Sequence, residues 1–430
     1  MAATSDKHRH VRARGGLRTA LGAACAALGV AGPAAEAVEI EAAVLGYTEP
    51  DRVSALEAVA DLQHTFADGK GASFRMVYDA LSGASANGAT PASSDQVFTR
   101  PSGDGSYVTK PGETPLDDTF RDTRVALSGG YSMPLGRVTS WNVGLYGSSE
   151  HDYTSLGANT SLTRDFNKRN TTLVVRASYY DDTISPEGGR PRPLAPMAPA
   201  GQDQARLGGD GSKQVTDLGL GITQVLDRQT LLHVNYTRSS VSGYQTDPYK
   251  IITVVDPVTG EPATGDEGSY LYESRPDARA RNIVYARLVR RLGGDDVRLS
   301  YRFMNDDWDV TSHTVELHYR WNLSGGQYLE PHGRWYTQTA AAFYDRYLVE
   351  GEALPDHATA DYRLGDMDAY TVGLTYGRPV GDGQRLLARL EYYAQTGESH
   401  PADAIGSLKD VDLFPTVDAF IVQVGYALDL

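Results

Sequence analysis

The feature that most restricts this chain is a period of two that never gives way to a helical period. In residues 123–133, TRVALSGGYSM, one parity carries Thr123, Val125, Leu127, Gly129, Tyr131 and Met133; the other carries Arg124, Ala126, Ser128, Gly130 and Ser132. Extended backbone sends alternate side chains to opposite faces, so this reads as a strand with one apolar and one polar face. TVELHYRWNL repeats the pattern most clearly, with Val315, Leu317, Tyr319, Trp321 and Leu323 against Glu316, His318, Arg320 and Asn322. FRMVYDAL, SWNVGLYG, TLVVRASYY, AYTVGLTYG and RLLARLEYY follow suit. Counting such segments gives about sixteen strands.

The connections say what the apolar faces touch. Starting from a strand near Val38–Tyr47, every second connection is tight: ADGKG (67–71), PLGR (134–137), NKRN (167–170), LDRQ (226–229), GGDD (293–296), LSGG (323–326) and VGDGQ (380–384). They carry the Gly, Asn and Asp that short hairpins need. Every long polar segment (82–120, 182–213, 244–279, 346–365 and 398–415) falls in the other set, beside the short TEPDR, SEHD and NDDWD. With strands running up and down, all long segments share one end, which is the layout of an outer-membrane barrel. The last segment, DAFIVQVGYALDL, is apolar on Phe420, Val422, Val424, Tyr426, Leu428 and Leu430. It supplies a strand to close the sheet, and closure lets a sheet enter lipid without an unpaired edge. Leu430 departs from the aromatic residue that more often ends such barrels. The expected fold class is therefore all-β, a closed antiparallel transmembrane β-barrel of about sixteen strands with short periplasmic turns and long extracellular loops. The competing reading, a soluble sandwich, would mix turn lengths at both ends.

Composition agrees where it speaks. Tyr (26) outnumbers Phe (9), as suits rings in an apolar phase with wet hydroxyls. The mean hydropathy of -0.38 does not exclude a membrane barrel, whose alternation averages out. Residues 1–37 read as an export signal: Lys7, Arg9, Arg12, Arg14 and Arg18, then ALGAACAALGVAG, then the small-residue site AEA. Its removal would leave a barrel domain over 38–430, shift the net charge from -15 to -18 and take away the sole cysteine, Cys25. Cleavage after Ala37 would then exclude disulfides, thiolate metal sites and covalent haem attachment.

Several stretches, YTEPDRVSALE, DALSGASANGATP, FTRPSG, PGETPLDDTFRDTRVALSGGY, GYQTDPYK and SRPDARAR, resemble the uncharacterised bacterial domain-of-unknown-function family 3570. The resemblance implies an outer-membrane barrel of unsettled activity in a Gram-negative envelope. Through the family's gene neighbours it also implies an envelope redox or maturation pathway, with a small lipoprotein or a periplasmic redox protein as partner.

Charged residues cluster where strands meet the long-loop end: Glu49, Asp51 and Arg52; Asp79; Asp117, Asp118, Arg121, Asp122 and Arg124; Asp247, Tyr249 and Lys250; Arg275, Asp277, Arg279 and Arg281. The expectation is that loops fold inward and pair with barrel-wall arginines, giving a charged constriction or plug; the bland alternative is loop anchoring alone. NDDWD offers Asn305, Asp306, Asp307 and Asp309 as oxygen ligands for calcium or for cations bridging lipopolysaccharide, but its spacing is not that of an EF-hand, so a solvated acidic turn is expected. His313 and His318 fall on opposite strand faces. No H-E-x-x-H, G-x-S-x-G, phosphate loop or C-x-x-C-H motif occurs, and the acidic balance argues against nucleic acid. The leading expectation is a non-enzymatic pore or export/import conduit needing no cofactor, in contact with outer-membrane lipid and lipopolysaccharide. The alternatives are a scaffold for a flavin- or haem-bearing partner and, third, an outer-membrane enzyme.

Overall fold

A computed structural model describes residues 37–50, 52–265 and 268–430, apart from the side chains of residues 118–120. The expected export signal lies outside the described residues except for Ala37. Sixteen antiparallel strands form one closed barrel, each paired with its neighbours in sequence. They are β1 (Ala37–Thr48), β2 (Val53–Thr65), β3 (Gly71–Ala86), β4 (Leu116–Pro134), β5 (Thr139–Ser149), β6 (Tyr153–Phe166), β7 (Thr171–Ile184) and β8 (Gly211–Asp227). The second half is β9 (Thr230–Gly243), β10 (Ala278–Leu292), β11 (Asp295–Asp306), β12 (Thr311–Asn322), β13 (Tyr328–Gln338), β14 (Met367–Gly381), β15 (Gln384–Thr396) and β16 (Val417–Asp429). Strand β16 closes the sheet on β1, from Glu39 opposite Asp429 to Thr48 opposite Phe420. Short and long connections segregate to the two ends as the sequence pattern requires.

The apolar rows face outward with nothing among the described residues packed against them: Leu145 is 70 % exposed, Leu218 57 % and Val424 54 %. Aromatic side chains ring the outside at two levels. Phe66, Tyr131, Trp141, Phe166 and Trp321 lie at the short-turn end, and Tyr179, Tyr236, Tyr301, Trp335, Tyr370, Tyr392 and Phe420 lie nearer the long loops. Amphipathic rings at two levels around an aliphatic band match the two interfaces of a bilayer. The greasy rows therefore face lipid, not a second protein layer.

The conventional hydrophobic core lies in the loops. Among the described residues the largest fully buried side chains, Phe98, Phe414, Ile252, Leu271 and Leu408 among them, all belong to long-loop-end connections. Segment Ile251–Val255 pairs with Tyr270–Tyr272 and, in parallel, with Leu348–Val349. Around this small sheet pack Leu194 from the β7–β8 loop, Phe98 and Ala89 from β3–β4, and Ala404 and Leu408 from β15–β16. Five loops thus share one folded cap. Residues 244–279, expected as a polar connection, hold the β-branched run IITVV, which is too short to register against the polar residues around it.

One glycine position shows how cap and barrel join. Gly83 has φ of 144°, and a Cβ there would stand 2.1 Å from the Arg52 carbonyl oxygen. It sits where the β3–β4 register slips, between Gly83 and Ser85. Such a bulge re-aims the end of a strand.

Candidate functional site

The sequence DPYK leaves β9 as a turn, with the Asp247 carboxylate accepting from the Tyr249 N–H at 3.1 Å. Aspartate before proline favours this local closure. The turn points two side chains back at the barrel wall. Lys250 Nζ donates to the Ala86 carbonyl at the end of β3, and the Tyr249 hydroxyl donates to the Asp152 carboxylate between β5 and β6. Burial raises the Tyr249 hydroxyl well above its ordinary value, and the Asp152 charge adds to this.

Behind the turn lies a buried network of three acids and three bases. Arg275 contacts Glu273 at 2.6 Å and Asp361 at 2.8 Å. Arg363 joins Asp361 at 2.5 Å to Asp247 at 2.7 Å. Glu273 also accepts from the Asp247 N–H at 2.6 Å and from the Thr359 hydroxyl. Glu273, Asp361 and Lys250 are buried, whereas the outer part of Arg363 reaches solvent. Charges buried this deeply persist only when paired.

Burial pushes the Glu273 carboxyl up to about 7 against the pull of Arg275, with Asp247 and Asp361 adding to the rise. For Asp361, burial is outweighed by Arg363, Lys250 and Arg275, which hold it below the usual range; for Asp247, Lys250, Arg363 and Arg275 do the same. The signs oppose. The two depressed aspartates stabilise the cap above the ordinary carboxylate range, and this is lost as pH falls through their lowered values. The raised Glu273 stabilises it below the ordinary glutamate range, and this is lost as pH rises through about 7. Hydrogen exchange at residues 251–255 and 270–272, corrected for intrinsic rate, should be slowest near about pH 5 and quicken on both sides. Glu273→Gln should flatten the alkaline side; protection that climbs steadily from pH 5 to pH 8 would contradict this assignment.

Between cap and wall lies a cleft of about 180 Å³, bordered by Asp117, Arg121, Asp122, Asp152, Tyr249, Lys250 and Arg363. The structure thus gathers Asp117, Arg121, Asp122, Asp247, Tyr249 and Lys250 of the sequence candidates at one place, with Arg275 deeper in the cap. Others stand elsewhere. Glu49 and Arg52 pair at 3.5 Å near the barrel seam, where Arg52 also donates to the Thr416 carbonyl. Asp51 lies outside the described residues, as does the side chain of Asp118. Asp277 bonds through its backbone carbonyl to the Gly243 N–H.

The expected pairing of loops with wall arginines takes a different form. Arg124 is met at 2.7 Å by Asp79 of the adjacent wall strand, and Arg279 at 2.5 Å by Asp306. Arg281 approaches Ser239 Oγ at 3.3 Å. Apart from Glu150, which stands 3.9 Å from Arg124, the charges of the cap pair with one another, because the cap folds around its own apolar core and carries its ions inside. NDDWD is a solvated turn only in part: Asp307 and Asp309 are exposed, but the Asp306 side chain is not. The buried Asp306 carboxylate accepts from the N–H groups of Trp308 and Val310, and Asp307 accepts from the Ala280 N–H. Glu273, Asp361 and Arg363 were missed because they come from two unpatterned loops that meet only in the fold. Glu316 and His332 were passed over although a spaced repeat marks them.

The inner wall is unequal around its circumference. Strands β3–β6 turn Ser73, Ser128, Gly130, Asn142, Gly144 and Asn159 inward, beside the larger Tyr146, and border a second hollow toward the short turns. Facing them, β10–β13 carry Arg287, Arg302 and Arg334 on the inward parity, none in an ion pair among the described residues.

A family described as "Protein of unknown function (DUF3570)" matches residues 18–428. No curated protein matches the sequence. Among solved structures, a bacterial polysaccharide outer membrane secretin aligns at TM-score 0.45 and 8% identity over 91% of this chain and 98% of its own. A BenF-like porin from Pseudomonas fluorescens Pf-5 aligns at TM-score 0.40 and 9% identity over 93% and 100%. Pseudomonas aeruginosa OccK2 (OpdF) in complex with glucuronate aligns at TM-score 0.38 and 12% identity over 92% and 96%.

Proposed function

The chain belongs to the DUF3570 family, and from that premise and its own lumen we propose that it is an outer-membrane conduit for small anionic solutes. The asymmetry of the inner wall carries the reading. Small side chains on β3–β6 leave room along one arc, and the hollow they border lies on the same strands as the cleft beneath the cap. Across the lumen, Arg287, Arg302 and Arg334 present positive charge that is in no ion pair among the described residues. Fixed cations along a low-dielectric wall raise the local concentration of anions. The cap, held by its core and its ion network, narrows the outer mouth and leaves the cleft as the way past it.

Planar-bilayer recordings test this. The purified chain should give discrete conductance steps and, under a salt gradient, a reversal potential favouring anions. Arg302→Glu with Arg334→Glu should move that potential toward cations, and Ser128→Trp should cut conductance by more than about half. A chain that inserts as a folded barrel and passes no current would end the proposal.

A further inference from the structure

The inner faces of β12 and β13 carry one spaced triplet twice, Glu316-x-His318-x-Arg320 and Glu330-x-His332-x-Arg334. Residues two apart share a strand face, and the strands run antiparallel with Glu316 opposite Arg334 and His318 opposite His332. The repeat therefore meets itself, centre on centre and acid against base. The two imidazole rings stack at 4.2 Å between centroids with 8° between planes. Their Nε2 atoms converge on one oxygen, Glu316 Oε1, at 3.1 Å and 3.0 Å. The three donor atoms all lie within 4.8 Å of one another.

The far side of each ring meets another carboxylate. His332 Nδ1 is 2.8 Å from Glu391 Oε1. His318 Nδ1, buried and without a well-formed hydrogen bond, is 3.3 Å from Glu330 Oε1. Arginines hold those outer acids: Arg298 and Arg320, the latter at 2.6 Å, on Glu330, and Arg389 at 3.8 Å on Glu391.

We propose that Glu316, His318 and His332 form a lumen-facing site for a first-row divalent transition-metal ion. Two imidazoles and one carboxylate suit such an ion, whereas calcium and magnesium prefer oxygen alone. At His332 the Glu391 carboxylate on Nδ1 fixes the tautomer that turns the Nε2 lone pair toward a metal, the arrangement found behind metal-binding histidines. The arginines neutralise the outer acids, so Glu316 is the charge left facing the ion. Among the described residues Glu316 is in no ion pair with an arginine, and both imidazoles turn to it. Metal–nitrogen distances of about 2.0–2.1 Å would require Glu316 to rotate and the rings to tilt, while the paired backbones stay in register. The site stands whether or not the barrel conducts.

The test uses untagged, chelator-stripped barrel in detergent, titrated with Co²⁺ by visible absorption and with Zn²⁺ by calorimetry. A single equivalent of Co²⁺ should bind with d–d bands that Zn²⁺ abolishes. In variants whose heat-modifiable electrophoretic mobility shows a folded barrel, Glu316→Gln and His332→Ala should lose the bands. Glu391→Gln, which removes only an outer acid, should weaken binding by about 10- to 100-fold. Absence of stoichiometric binding by the unaltered chain overturns the proposal without any variant. So does unchanged affinity in folded Glu316→Gln, which would put the ion elsewhere.

Discussion

Replacing Arg275 with Met is expected to destabilise the loop cap by about 3–5 kcal/mol while leaving the barrel intact. The Arg275 side chain is 12 % exposed and lies between Glu273 and Asp361, which are 0 % and 1 % exposed. Removing it leaves Glu273, already raised to about 7, either to take up a proton or to stay a buried anion without its ion partner, and Asp361 keeps only the rest of the network. That penalty is far larger than the modest net contribution of an exposed pair. Hydrogen exchange at residues 251–255 and 270–272 should accelerate by the corresponding factor, and protease should nick the loops between β9 and β10 and between β13 and β14. Arg275→Lys, which keeps the charge but not the planar fork, should fall between the two. The barrel's thermal transition should barely move, because its strands make their hydrogen bonds to each other. Unaltered exchange in the Met variant would mean that the network does not hold the cap.

The second large effect is expected at Trp308. Its indole N–H donates to the Ala278 carbonyl at 2.8 Å, the Arg279 guanidinium lies 4.2 Å above its ring, and Phe343 meets it edge-on at 5.0 Å. With Met304, Val310 and Leu364 it forms a small core that docks the β13–β14 loop on the outer end of β10 and β11. Trp308→Ala should cost about 3–5 kcal/mol, since it removes a large buried ring and leaves a cavity. Exchange at Ala341, Ala342 and Tyr344, whose N–H groups bond within this junction, should report it. Trp308→Phe, which keeps most of the volume but loses the indole donor, should cost less.

Of the residues named from sequence, those on strands were placed better than those in loops. Asp79 and Arg124 could be read as inward from parity alone, and they meet across β3 and β4. His313 and His318 were assigned to opposite faces, and His313 bonds the Tyr301 hydroxyl on the outside while His318 faces the lumen. Asp306 alone departs from the solvated turn expected of NDDWD, because a local acidic run says nothing about Trp308 turning inward beside it. The His318–His332 pair was legible in principle, as a triplet repeated across one tight turn, but a search for motifs of fixed spacing along the chain passes over a pattern that matters only across two strands.

The alternation of side chains and the sorting of turn lengths are local properties. An extended chain has no choice about which parity faces which way, and a closed sheet in lipid is the one arrangement that satisfies both. So strand number, the lipid-facing rows and the shared end of the long loops were determined by sequence alone. Which charges meet was not. The acids and bases of the cap come from loops more than eighty residues apart, and their pairing follows from an apolar core that only the folded loops create. Coulomb attraction falls away with distance and solvent, so a charge has no partner until the tertiary fold sets one beside it and takes the water away.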